Sequence, residues 1–444
     1  MIAAALAALA LGAQQAPANA EGQPAPPAEA PTEAPAVSDS IQYGRLRAQA
    51  VSAAQGGDLP GAFRLLEQAE ALAPNHPGLL QLRAQMSMLA GRPQDALAAW
   101  RRLAELGLTG DPSRAQVLAP MLQLADWPAV EQALEANRAP AGQITRLAVW
   151  SEPFLAEGVA YDAARDRFLV SSIRQKRIVA VDRQGRVSDF AQPGSLGVFA
   201  LAADPGRGAL WAAASGAPPV AELEPLERGR AALVQHDLQS GIVRAIYAAP
   251  QAEGGLPRNF GDLTLGPDGS VYVADSLIGD VFVLDPGGTE LRRLLPEGSL
   301  RSPQGMAVSP DGGALLIADY STGLYRLDLT SGRLRRLAAP ADASLVGVDG
   351  VAVDGSRPGG EHLIVVQNGS NPQRVLRLRL DPGFTRIAEV EVLAANLEGL
   401  QEPTGGVALE DGFVFVSRSQ WSDVDNDGAF AENPGPAALS QLPL

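Results

Sequence analysis

Three oxygen-bearing side chains occur at equivalent positions of a segment that repeats along the sequence. Six such segments lie between residues 151 and 420, and in each of them one residue directly precedes the first apolar strand. In chain order these residues are Glu157, Phe199, Gly261, Gln304, Asp349 and Gly405. If the segments form a ring, two carboxylates and one amide point at a common axis, where like charges repel unless a cation or proton neutralises them. Oxygen ligands without His or Cys suit a hard divalent cation, calcium before magnesium or manganese.

The same side chains also have a purely structural explanation. Glu157 and Asp349 can line a wet channel and accept hydrogen bonds from backbone amides at the starts of strands. The sequence has no cysteine, which excludes thiolate and disulfide chemistry. Its three histidines are His76, His236 and His362, which fall on different predicted elements. Residues 423–428 begin like a calcium-binding loop, but Pro434 stands at the twelfth position instead of glutamate, so a turn is favoured.

The elements that must position these residues are short strands. From residue 143 onward, apolar runs alternate with Gly, Pro and Asp turns, as in residues 263–275. Six units with four short strands each are typical of propeller blades, which stack radially around a channel. We therefore predict an all-β six-bladed β-propeller over residues 143–420. The sixth unit lacks strands near its end, so residues 143–150 are predicted to complete it, and residues 421–444 are predicted to be a C-terminal tail.

An α-helical segment precedes the strands, with apolar residues at spacings of three and four over residues 41–134. Similar turn sequences begin at Gly57, Gly91 and Ala125, which lie 34 residues apart. This is the period of tetratricopeptide repeats, so we predict tetratricopeptide-like helical repeats over residues 39–138. Two interpretations are open. The repeats present a concave surface to a peptide or partner protein, or they form a helical spacer that packs on the propeller.

Composition limits the partners and the compartment. The 444 residues carry a formal net charge of -15, which argues against a nucleic-acid partner because phosphate binding needs clustered Lys and Arg. The apolar run 2–13, followed by a small-residue cleavage pattern, predicts that residues 1–20 are a signal peptide and that the protein is periplasmic. Residues 21–38 are rich in Pro, Ala and Glu, which predicts a disordered linker. No later apolar run reaches the roughly twenty residues of a membrane span.

Three motifs of the strand region resemble a known family. They are residues 157–159 (Glu-Gly-Val), 303–312 (Pro-Gln-Gly-Met-Ala-Val-Ser-Pro-Asp-Gly) and 348–354 (Val-Asp-Gly-Val-Ala-Val-Asp). These are similar to blade motifs of the senescence marker protein, gluconolactonase and luciferin-regenerating enzyme family, whose architecture paraoxonases share. The resemblance implies a divalent metal in the channel and, as activity, the opening of a lactone or related ester.

The resemblance also assigns residues. Glu157 matches the family's metal-binding glutamate, and Asp349 matches its aspartate, which is both a metal ligand and a candidate general base. Gln304 replaces a metal-binding asparagine but keeps an amide oxygen. Gly261 replaces a second asparagine and has no side chain, so Asn259 and Asp262 become candidates for contacting metal or substrate. The alternative function is a non-catalytic propeller that acts with the helical repeats as a scaffold for protein interactions.

Overall fold

The computed structural model describes residues 38–192 and 194–444. In this part of the chain, helices come first: α1 (Asp39–Gln55), α2 (Leu59–Leu72), α3 (Pro77–Leu89), α4 (Pro93–Glu105) and α5 (Trp127–Ala136). Three 3₁₀ turns separate α4 from α5: Pro112–Arg114, Gln116–Leu118 and Met121–Gln123. The predicted signal peptide and nearly all of the predicted linker lie outside the described residues. Among the described helices, none is both long and apolar enough to cross a bilayer.

The helical segment follows the predicted repeat in two of its three units. α1 pairs with α2 and α3 with α4, and a glycine with positive φ, Gly57 or Gly91, ends the first helix of each pair. The second helix of each pair has a proline in its first turn, Pro60 or Pro93. Amide groups in the first turn have no acceptor within the helix, so the amide hydrogen that proline lacks is not needed there. In the third unit, the 3₁₀ turns replace the first helix because Pro112 and Pro120 interrupt the stretch. The helical-repeat prediction is confirmed in outline, and its tetratricopeptide character stays a prediction.

Twenty-four strands follow in the described residues. In chain order they are β1 (Thr145–Trp150), β2 (Ala156–Asp162), β3 (Arg167–Ser172), β4 (Arg177–Asp182), β5 (Val187–Ala191), β6 (Gly197–Asp204), β7 (Ala209–Ser215), β8 (Ala231–Asp237), β9 (Val243–Ala248), β10 (Phe260–Leu265), β11 (Val271–Asp275), β12 (Val281–Leu284), β13 (Arg292–Leu295), β14 (Pro303–Val308), β15 (Ala314–Asp319), β16 (Gly323–Asp328), β17 (Leu334–Arg336), β18 (Val348–Val353), β19 (His362–Gln367), β20 (Arg374–Leu380), β21 (Ile387–Ala395), β22 (Gly406–Leu409), β23 (Gly412–Arg418) and β24 (Ala437–Leu442). They form six antiparallel sheets of four strands, so the predicted six-bladed propeller is confirmed.

The sixth blade joins the two ends of the ring. Blades 1–5 each use four consecutive strands from β2 to β21, whereas blade 6 has the order β1-β24-β23-β22. β1 pairs with β24 from Thr145 opposite Gln441 to Trp150 opposite Ala437, so the prediction that residues 143–150 complete this blade is confirmed. The predicted tail was wrong in part, because residues 437–442 supply the strand between β1 and β23. This short strand, Ala-Ala-Leu-Ser-Gln-Leu, follows Pro434 and Pro436 and lacks an obvious strand pattern in the sequence, and it pairs on both sides.

The helical segment packs on the propeller through side-chain contacts to blades 4 and 5. Ser40 Oγ donates to Asp319 Oδ2 at 2.9 Å, and Asn75 Nδ2 donates to the carbonyl oxygens of Ala341 and Ala343 at 2.8 and 2.9 Å. Farther along, the amide of Thr109 donates to a carbonyl in the loop between β19 and β20. These contacts favour the interpretation that the helices are a spacer packed on the propeller. Recognition of a partner protein by the helices stays a prediction.

The innermost strands of blades 1–5 carry irregularities at the position that the sequence singled out. The register of β2 against β3 shifts between Ala156 and Val159, and that of β18 against β19 shifts between Val348 and Val351. The strands β6, β10 and β14 show corresponding shifts. A bulge at a strand start re-aims the side chain that it carries. Here the bulges hold Glu157 and its equivalents at the channel mouth.

Close approach of neighbouring inner strands requires glycine directly after Gln304 and directly after Glu157. A Cβ on Gly305 would lie 2.3 Å from the carbonyl oxygen of Asp349 and 2.5 Å from the amide nitrogen of Val351, and neither backbone atom can move without opening the ring. Gly158 meets the backbone of blade 2 in the same way, at 2.8 Å from the Cα of Ala200. The glycines therefore fix the spacing between blades at the mouth.

Replacing Gly305 with alanine should lower the free energy of unfolding by about 1–3 kcal/mol or more, because overpacking against backbone cannot relax. The measurement is urea unfolding followed by circular dichroism. Gly206→Ala is the matched control, since its added Cβ would be 3.5 Å from the nearest atom and should change stability little. Equal stabilities of the two variants would contradict the close-packing argument.

Candidate functional site

A cavity of about 330 Å³ opens at the channel mouth, which we call the mouth cavity. Glu157, Gln304 and Asp349 all line it, so the structure brings together the three residues predicted to bind metal. Phe199 and Gly261 line it as well. These five residues also line the upper part of a second cavity, about 320 Å³ in volume, which runs down the channel between the inner strands. The predicted site is thus the constriction between the mouth and the channel.

The negative charges of Glu157 and Asp349 repel each other at this constriction. Burial, and then the charge of Asp349, raises the pKa of Glu157 well above its usual value. Burial raises the pKa of Asp349 to about 6. No Lys, Arg or His of residues 38–192 and 194–444 forms an ion pair with either carboxylate. Each carboxylate instead accepts one neutral hydrogen bond, and Trp421 Nε1 donates to Glu157 Oε2 at 2.9 Å.

Asn368 orients Asp349. Its Nδ2 donates to Asp349 Oδ2 at 2.5 Å and to the carbonyl oxygen of Pro403 at 3.0 Å, while its Oδ1 accepts from the hydroxyl of Tyr320 at 3.0 Å. These contacts use both hydrogens of the amide group and fix which way it points. One oxygen of Asp349 is therefore held by Asn368, which leaves the other available to a ligand in the mouth cavity.

The side chain of Gln304 is tethered on both of its amide atoms. Nε2 donates to Ser302 Oγ at 3.0 Å, and Oε1 accepts from Ser276 Oγ at 3.4 Å. The longer contact is the weaker one, so this oxygen can still act as a ligand. Ser276 also explains the absence of a side chain at Gly261, because a Cβ there would lie 2.0 Å from Ser276 Oγ.

Asn259 offers a further oxygen to the mouth cavity. It lines the cavity, and its Oδ1 is buried without a hydrogen-bond partner among the described residues. A buried acceptor without a donor costs free energy unless a ligand satisfies it. The sequence-based suggestion that Asn259 substitutes for the side chain missing at Gly261 is compatible with this position.

Asp262 lies lower, among the residues of the channel cavity and outside the lining of the mouth cavity. Its Oδ2 accepts from the amide of Met306 at 2.8 Å, which ties blade 3 to blade 4. Burial raises its pKa to about 7. Asp262 is therefore better placed to support the neighbouring blade than to contact a ligand in the mouth.

The carboxylate and amide oxygens at the mouth are ligands that suit a hard cation. Glu157 and Asp349 supply negative charge, and Gln304 and Asn259 supply amide oxygens. Without a cation, the two carboxylates repel each other unless one of them binds a proton. Within the described residues no group of three His, Cys, Asp or Glu side chains has metal-binding geometry. Any metal here thus depends on the amide oxygens to complete its ligand set.

A wider cleft of about 970 Å³ leads away from the mouth cavity over blades 2 and 3. Phe199, Asn259, Ser276 and Trp421 line both spaces, so the two are continuous. The far walls of the cleft come from the loop between β7 and β8 and from residues 425–427. The two loops touch, since a Cβ on Gly428 would lie 2.2 Å from the backbone of Pro218.

The sequence analysis missed several residues of the mouth, although a signal for three of them is present. Ser276, Tyr320 and Asn368 each directly follow the second strand of their blade, namely β11, β15 and β19. Because this strand runs antiparallel to the innermost one, its end lies beside the residue that begins the innermost strand. Aligning the ends of second strands would have found them. Trp421 has no such signal, because it lies in the segment predicted to be a tail.

Comparison with known proteins finds one matching family model and several similar solved structures. The family model described as SMP-30/Gluconolactonase/LRE-like region matches residues 155–392. A gluconolactonase from Xanthomonas campestris is 15% identical with a TM-score of 0.47, covering 69% of this chain and 94% of its own. A calcium-binding protein, regucalcin, from Agrobacterium tumefaciens is 17% identical with a TM-score of 0.45, covering 69% and 97%. No curated protein sequence matches the chain.

Proposed function

This chain belongs to the SMP-30/gluconolactonase/LRE-like family, and we propose that it is a divalent-metal-binding hydrolase of a lactone or related ester, acting outside the cytoplasm. The observation that carries the proposal is the pair of half-buried carboxylates, Glu157 and Asp349, which face one cavity without a cationic partner among the described residues. Two such groups are costly in a folded protein unless a ligand compensates them.

Glu157, Asp349, Gln304 and Asn259 are the residues that would hold the cation, and calcium suits their oxygen atoms best. When bound, the cation supplies polarisation of the scissile carbonyl and a lower pKa for water. Trp421 holds one oxygen of Glu157, and Ser302 fixes the amide of Gln304. The side chains of this site are therefore oriented before a ligand arrives, which reduces the ordering cost of binding.

Asp349 is the general base in this proposal. Without a cation its pKa is about 6, and a cation lowers this pKa further, so Asp349 is ionised at neutral pH and can take a proton from the attacking water. The water oxygen bonds to the carbonyl carbon, the bond from that carbon to the ring oxygen breaks, and the ring oxygen ends as a hydroxyl group. The product is an open hydroxy acid. Asn368 keeps the carboxylate in position throughout.

The proposal is tested by binding and by turnover on protein freed of metal by chelation. Isothermal titration with calcium should show one site, and Glu157→Ala should remove it because the cation loses a charged ligand. Glu67→Ala, an exposed helical position, is the matched control and should bind as the wild type does. Hydrolysis of simple lactones should require the added cation.

Two results would count against this function. If chelation leaves turnover unchanged, the reaction does not use the metal. If calcium binds but no lactone is hydrolysed, the cation has a structural role. The second result favours the alternative, a non-catalytic propeller with packed helices.

A further inference from the structure

The cleft beside the mouth cavity differs from it in chemistry. Most of its wall surface is apolar, with Pro218, Pro219, Val220, Leu223 and Leu277 among the lining residues, and Glu222, Arg228 and residues 425–427 add polar groups. The mouth cavity, in contrast, is lined mainly by carboxylate, amide and hydroxyl groups. A ligand that filled both spaces would therefore need a polar head and an apolar arm.

The loop that forms the far wall is held in place by a core of its own. Phe199, Val220, Leu155 and Ile173 form a buried cluster, against which Leu223 and Trp421 pack. The wall is thus a built surface, ordered by the side chains behind it. Phe199 is at once a member of this cluster and a wall of the mouth cavity, so it joins the two spaces directly.

The cleft leaves one large apolar side chain of its lining in water. Leu277 lines the cleft and is 49% exposed. Isolated exposed leucines are ordinary, but those on a cleft that opens into a polar centre gain most from covering by an apolar ligand. The cleft volume is within the range of pockets that bind small organic molecules.

We propose that this cleft binds an aliphatic chain attached to the reacting head group, so that the preferred substrates are lactones or esters with an alkyl or acyl arm instead of polyhydroxylated sugar lactones. This inference rests on the proposed function for the head group. Sugar hydroxyls against Val220, Leu223 and Leu277 would lose water without gaining partners from those side chains, whereas each methylene of an alkyl arm gains from leaving water.

The test is a series of δ-lactones with alkyl substituents from methyl to nonyl, with δ-gluconolactone for comparison. We expect kcat/KM to rise about threefold to fourfold per added methylene until the cleft is filled. Leu277→Ser should reduce kcat/KM for the longest substrate about tenfold and leave that for the methyl substrate unchanged. Leu226→Ser, at a more exposed leucine outside the cleft lining, is the control and should behave as the wild type does.

Binding is measured separately, so that failure of catalysis and failure of this inference can be told apart. Non-hydrolysable δ-lactams with the same substituents are titrated against tryptophan fluorescence, and Trp421→Phe identifies the signal. If affinity rises with chain length but no substrate is turned over, the proposal that the cleft binds an alkyl arm is supported and the hydrolase function is overturned. Turnover with no dependence on chain length, or a preference for the sugar lactone, overturns the cleft and upholds the hydrolase. Neither turnover nor graded binding would overturn both.

Discussion

Replacing Asp349 with asparagine should lower kcat for lactone hydrolysis by about 10²- to 10⁴-fold, the usual contribution of a general base. Asparagine has nearly the same shape and keeps an oxygen for the hydrogen bond from Asn368, but it cannot take a proton from water. The variant should therefore remain folded. The measurement is initial rate against substrate concentration at saturating calcium.

Two further readouts separate the role of base from that of ligand. Without a cation the pKa of Asp349 is about 6, and a bound cation lowers it. At saturating calcium the wild-type kcat should therefore fall as the pH drops through this lowered pKa, because Asp349 then takes up a proton, and the residual activity of Asp349→Asn should lack this step. Asp311→Asn, in a surface turn where the carboxylate contacts Ser309 and Gly313, is the control and should keep the wild-type profile. An unchanged kcat in Asp349→Asn would remove this residue from the reaction.

In the metal-free protein, Asp262→Asn should raise the free energy of unfolding at pH 7.5 by about 2–4 kcal/mol. Burial raises the pKa of Asp262 to about 7, above the value of roughly 4 expected in the unfolded chain. Because its pKa is higher in the folded state, Asp262 contributes its full stabilisation below about pH 4, where it is protonated in both states. This stabilisation is lost as the pH rises towards 7. Asparagine has no charge to desolvate, and its side-chain oxygen can still accept from the amide of Met306.

The pH dependence supplies the internal control for this variant. At pH 4 the two proteins should have equal stability, because Asp262 is then mostly protonated in the folded state. Urea unfolding at several pH values, with calcium removed, measures the difference. Adding calcium should reduce the difference in free energy of unfolding between the two proteins, since a cation at Glu157 and Asp349 also favours the charged form of Asp262. A difference that does not change with pH would contradict an elevated pKa.

The sequence alone located the ring and the positions that face its axis. Alternation of apolar residues and recurring Gly and Asp turns are local properties, so each blade could be recognised without knowing its neighbours. Glu157, Gln304 and Asp349 were found because the repeat places them at the same point of each unit. The strand β24 was missed because its residues lack this local pattern and become a strand only when paired on both sides.

What only the tertiary structure decided are the contacts between residues far apart in the chain. Trp421 reaches Glu157 across 264 positions, and the loop at Pro218 meets the one at Gly428 to wall the cleft. The geometry of the candidate ligand oxygens and the apolar surface beside them arise from ring closure, which brings loops of different blades to one mouth. Local patterns cannot encode that meeting, because it depends on the packing of all six blades together.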